Sequence, residues 1–123
     1  SPALFKEYFK PRRTELNNVI KDICPNAKIF HHTCGSVYKI IDDLIETGID
    51  ILNPVQPLAK DMESSKLNFE YGDKLIFHGG IDEQEALPGS LEDVEEEKTE
   101  ILPRNIVIEN ILLNKISWGD NFE

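Results

Sequence analysis

The feature that most constrains this chain is its repeated order of helix and strand. Short apolar runs over 27–33, 49–52 and 74–78 begin 22 and 25 residues apart, and each follows a stretch with helical spacing. Runs of that length alternating with helices predict consecutive β/α units of a parallel sheet. The first helix, over 3–23, carries Leu4, Phe5, Tyr8, Phe9, Leu16, Val19, Ile20 and Ile23, with Pro11 marking a kink or a break between two pieces. Over 37–47, Val37, Ile40, Ile41, Leu44 and Ile45 follow the spacing of one buried face, and Gly48 is placed to stop that helix. Asn53-Pro54 breaks the second strand after Leu52. A weaker helix over 64–71 leads to the third strand, which Gly79-Gly80 closes. A last helix is predicted over 91–102, with Ser90 as its N-cap.

Parallel strands need cover on both faces, and three of them leave two open edges. A closed TIM (β/α)8 barrel takes about 250 residues. The 123 residues here therefore predict an α/β partial TIM barrel of about three parallel β/α units, part of a larger barrel.

With 13 basic against 23 acidic side chains and a net charge of −10, the chain is not expected to bind nucleic acid, whose phosphates demand lysine and arginine. No apolar run approaches the roughly 20 residues that cross a bilayer, and the N-terminus lacks the pattern of a secretory signal. A cytoplasmic protein with no membrane partner is expected. Glu95, Glu96, Glu97 and Glu100 read as a solvated helix face.

The residues with most chemistry are His32 and Cys34. Side chains alternate along a strand, so these two point the same way, while His31 and Thr33 point the other way, towards packing helices. An imidazole and a thiolate side by side suit zinc, which takes three protein ligands in a catalytic site and leaves a fourth position open. Cys24 is separated from Cys34 by roughly 20 Å of strand at about 3.3 Å per residue, too far for a disulfide or a shared metal, and reads as a half-buried helix-end cysteine. His78 ends a nearby strand and is a further candidate ligand. Gly79-Gly80 permits positive φ and close backbone approach without forming a spaced dinucleotide-binding signature.

Five segments together, SPALFKEYFKP, HHTCGSV, DDLIETGIDILNPVQP, YGDKLIFHGGIDEQ and LPGSLEDVEEE, resemble the C-terminal half of the uroporphyrinogen decarboxylase superfamily, whose fold is a TIM barrel. The resemblance covers about residues 1–102, with 103–123 a divergent tail similar to the family's last helix with the final strand missing and the N-terminal half-barrel absent before Ser1. Within the superfamily, HHTCGS, NPVQP and HGGID look like the corrinoid-dependent methyltransferase branch, which includes methylcobalamin:coenzyme M methyltransferases.

That resemblance implies zinc, with His32 and Cys34 matching two of the branch's three ligands. The third is a cysteine from a later segment, and this chain has no cysteine after Cys34. The implied reaction is methyl transfer from a corrinoid, carried on a protein or as methylcobalamin, to a small thiol. All three strand ends would then deliver residues to one mouth, the face where TIM barrels act. Asp82 is expected as a catalytic or ligand-orienting carboxylate, and Asn53, Gln56, Gly79 and Gly80 as substrate-binding residues. Two other readings stand beside this one. The first is a metal-free uroporphyrinogen decarboxylase of porphyrin biosynthesis, and the second is a catalytically inactive barrel fragment that associates with itself or with a complementary half-barrel.

Overall fold

The computed structural model describes residues 1–80, 82, 88–92, 106 and 107. Helix α1 (Pro2–Leu4) begins with Pro2 in its first turn, and the Ser1 hydroxyl accepts the Leu4 N–H. It passes through a π-helical turn, Phe5–Phe9, into α2 (Lys10–Ile23). The chain stays helical across Pro11, where a kink or a break was expected. Proline has no N–H and its ring crowds the carbonyl four residues back, and a widened turn just ahead of it removes both conflicts.

Four strands follow: β1 (Phe30–His32), β2 (Ile51–Val55), β3 (Ile76–Gly79) and β4 (Ile106–Val107). They form one sheet in the order β1-β2-β3-β4, with every neighbouring pair parallel. A 3-10 turn (Tyr38–Ile40) and α3 (Ile41–Glu46) join β1 to β2, and α4 (Ser64–Tyr71) joins β2 to β3. Gly48, at φ 83°, ends the turn after α3 in the left-handed conformation its position predicts. This α/β arrangement is consistent with a partial barrel.

Two features of the sheet also depart from the sequence reading. Strand β2 does not stop at Leu52 but continues through Asn53 and Pro54 to Val55, with a cis Asn53-Pro54 peptide. Leu52 pairs with Phe77 and Val55 with Gly79, so β2 holds one extra residue. A bulge of this kind is where an inner strand tolerates a proline, because the ladder is already interrupted. The second departure is β4. The tail was read as helical with no strand, yet residues 106 and 107 pair with Phe77 and His78. The predicted helix over 91–102 lies, from residue 93 on, outside the described residues.

The core sits between one face of the sheet and the helices. Ile41 and Leu44 of α3, Leu67 and Tyr71 of α4, Met62, Leu75, Leu52, Val55 and Phe77 are buried together, with Phe5 and Ile20 packed against them. Buried Asn17 of α2 donates to the Thr47 carbonyl at 2.8 Å. Asp43 of α3 receives Lys10 at 2.8 Å and Lys6 at 3.3 Å, and Lys10 also pairs with Glu46. The opposite side of α1, the π turn and α2 leaves Leu4, Tyr8, Leu16, Val19 and Ile23 exposed. Among the described residues no helix is long and apolar enough to cross a membrane.

Candidate functional site

Register decides what each strand presents. His31, Leu52 and Phe77 stand in line across the sheet, and all three are buried, so they form the row that meets the helices. The residues one position earlier, Phe30, Ile51 and Ile76, also stand in line and project from the other face. Two positions further along each strand, on that same face, come His32, Asn53 and His78. The open face therefore carries an apolar row with a polar row above it, at the C-terminal ends of the strands.

The polar row is wired through Asn53. Its Oδ1 lies 2.7 Å from His32 Nδ1, and its Nδ2 lies 2.8 Å from His78 Nδ1 and 3.5 Å from the His78 carbonyl. On the far side of the His32 ring, Nε2 is 3.6 Å from Cys34 Sγ. The His78 ring meets Phe30 edge-to-face, with centroids 5.1 Å apart. The bulge in β2 sets Asn53 at this height while Val55 still reaches Gly79.

The loops above the row are tied to each other. Gln56 Oε1 accepts the Gly35 N–H at 2.6 Å, which joins the loop after β1 to the loop after β2, and the Ser36 hydroxyl donates to the Lys60 carbonyl at 2.6 Å. Gly35 has φ 80°, a turn that directs the chain away from Cys34. Gly79 has φ 102° and lies so close to β2 that an added Cβ would stand 3.2 Å from Val55 N and 3.4 Å from Pro54 Cα. Its small size thus serves the approach of β3 to the β2 bulge. Gly80 donates its N–H to the Val55 carbonyl at 2.9 Å.

His31, on the covered face, is 7% exposed. Burial, followed by the charges of Arg13 and His32, pushes its pKa below the ordinary histidine value. Its Nδ1 has no hydrogen-bond partner among the described residues. Asp82, beyond the end of β3, is also buried. Cys24 and Cys34 are both free and exposed, so Cys24 is less covered than its half-buried assignment.

The structure thus brings together His32, Cys34, Asn53 and His78, and places Gln56, Gly79 and Gly80 at the same mouth in contacts with the protein's own backbone. Among the described residues no third His, Cys, Asp or Glu joins His32 and Cys34 in a metal-binding group. Sequence reasoning missed the bridging role of Asn53, because a strand ended at Leu52 leaves Asn53 with no register. It also missed a groove of about 480 Å³ lined by Phe5, Phe9, Ser36, Val37 and Ile40, which reaches the Cys34 loop through Ser36.

Comparison with known families gives a match over most of the chain. The family model described as Uroporphyrinogen decarboxylase (URO-D) matches residues 1–110. No curated protein matches the chain, and no solved structure matches it.

Proposed function

The chain belongs to the uroporphyrinogen decarboxylase family, and from that premise we propose that it is of the methyl-transferring kind, with zinc held by His32 and Cys34, a corrinoid as methyl donor and a small thiol as acceptor. The observation that carries this reading is the 3.6 Å between Cys34 Sγ and His32 Nε2. Two ligands of one tetrahedral zinc, with bonds of about 2.3 Å to sulfur and about 2.0–2.1 Å to nitrogen, stand about 3.6 Å apart. The second ring nitrogen of His32 meets the Asn53 carbonyl oxygen, the kind of partner that orients metal-binding histidines.

Zinc bound there would supply a Lewis acid that lowers the pKa of the acceptor thiol. The chain's own residues do the rest. His32 Nε2 and Cys34 Sγ offer their electron pairs, Asn53 holds the imidazole plane, and Gln56 holds the loop that carries Cys34. Asp82 supplies a buried carboxylate to orient a ligand or exchange a proton. The exposed stripe of Leu16, Val19 and Ile23 on α2 fits the barrel fold of the family, in which neighbouring helices pack side by side, and does not distinguish its activities.

Elemental analysis of the purified chain tests this first. About one zinc per chain, lost in His32→Ala and in Cys34→Ala, is the expected result, and thiol methylation from methylcobalamin should then follow the metal. A chain without zinc affinity would overturn the reading. The family's own description favours a second reading, decarboxylation of a uroporphyrinogen, and decarboxylation that persists in chelator would establish it over the first.

A further inference from the structure

Asn53 meets two histidines with the two different ends of its amide, and the direction of that amide is anchored by a third group. The His78 backbone carbonyl can only accept, and it lies 3.5 Å from Asn53 Nδ2. The nitrogen end therefore belongs on the His78 side, because an amide oxygen there would face another oxygen. From this the protons follow. Nδ2 donates to His78 Nδ1 at 2.8 Å, so that ring nitrogen carries a lone pair and the neutral ring holds its proton on Nε2. Oδ1 accepts from His32 Nδ1 at 2.7 Å, so His32 holds its proton on Nδ1 and keeps its lone pair at Nε2, facing Cys34.

We propose that Asn53 is a positioning residue that holds His32 and His78 in opposite tautomers, so that His32 takes part as an electron-pair donor at Nε2 and His78 as a hydrogen-bond donor. His78 is thereby removed from the set of metal ligands even though it ends the neighbouring strand, because Asn53 uses the lone pair of its Nδ1 and its Nε2 carries the proton. A side chain with one accepting and one donating end is required for this. An aspartate of the same shape accepts from both sides and would place a proton on Nδ1 of each ring. The proposal deepens the zinc reading and rests on it for the use made of His32, but the tautomers belong to the metal-free chain and are measured there.

The experiment is a long-range proton–nitrogen correlation spectrum of the full, metal-free chain with ¹⁵N-labelled histidine. It is recorded at about pH 8, above the ordinary histidine pKa of about 6.5, with rings assigned from His32→Ala and His78→Ala. The wild type is expected to show the Nδ1–H form for His32 and the Nε2–H form for His78. In Asn53→Asp, His78 should switch to Nδ1–H while His32 stays as it was. The same tautomer on both rings of the wild type, a result that needs no variant to fold, would overturn the proposal. So would an Asn53→Asp chain with an unchanged backbone spectrum and an unswitched His78. Zinc titration of the same samples separates the two readings. Opposite tautomers without zinc binding would sink the metal reading alone, whereas tight zinc binding with His78 in the Nδ1–H form would sink this one alone. If both hold, Asn53→Ala should weaken zinc binding about 10–100-fold.

Discussion

The two faces of the central sheet are built from residues one position apart, and they do different work. On the helix-covered face Leu52 and Phe77 are 0% exposed, whereas on the other Phe30 and Ile76 are 49% and 38% exposed. Burying a large apolar side chain contributes roughly 1.5–3 kcal/mol, so the covered row carries the stability. A polar group buried without a partner costs about 1–3 kcal/mol. His32, Asn53 and His78 avoid that cost by standing on the face that stays accessible and by bonding to one another. The lesson is that a single-residue offset along the strand divides the sheet between a row that holds the fold and a hydrogen-bonded polar row left accessible.

The largest test of this division is Phe77→Ala, which opens a cavity where the strand meets α3 and α4. It is expected to lower unfolding free energy by about 3–5 kcal/mol in a denaturant titration. A loss no greater than that of an open-face substitution would break the comparison. Next in size is Gly79→Ala, about 1–3 kcal/mol, because the residue combines φ 102° with a 3.2 Å approach to Val55 N. Crystallography of that variant should show β3 displaced from the β2 bulge.

Asp50 sharpens the contrast from the other end of the strands. Its carboxylate accepts the Ile29 N–H at 2.7 Å, Lys21 at 2.7 Å and Lys28 at 3.2 Å. Burial by itself would raise its pKa, but the Ile29 N–H and the two lysines together hold it below the ordinary carboxylate value. The native chain therefore binds this proton more weakly than the unfolded chain. Its stabilisation is complete above the unfolded carboxylate pKa, near about 4, and is lost as pH falls through the lower native value. Asp50→Asn should cost about 1–3 kcal/mol at neutral pH, and thermal melts should show the gap to wild type closing with acid. A gap that widens on acidification would contradict this. The smallest effect belongs to Phe30→Ala. Its ring is half-exposed and its edge contact with His78 is the kind worth about 0.5–1.5 kcal/mol, so unfolding should shift by no more than that, while the His78 ring signals in the NMR spectrum should move.

The fold was legible to the extent that it depends on local pattern. Helix spacing and strand period placed the β/α units, and α4 falls on the residues its spacing indicates, because amphipathic periodicity is written along the chain. The π turn was not legible, since one extra residue in a turn at Phe5–Phe9 barely changes the apolar spacing. Strand β4 escaped because only pairing with β3 distinguishes two residues of strand from any other short apolar step. At the site, alternation along β1 was enough to set His32 and Cys34 on one side and His31 on the other. The bridge through Asn53 was out of reach, because it depends on register between three strands and on a bulge at a proline that reads locally as a stop.

The Gly35 N–H, by donating to Gln56 Oε1, ties the loop after β1 to the loop after β2. The loop bearing Cys34 is fastened to its neighbour during folding, so part of its conformational entropy is lost at that stage. For the zinc site proposed above, binding at Cys34 would then be preorganised, and the ordering of the loop would subtract less from its affinity. For that proposed site, Gln56→Ala would free the loop and weaken zinc binding in a titration while leaving the two ligands, His32 and Cys34, in the chain.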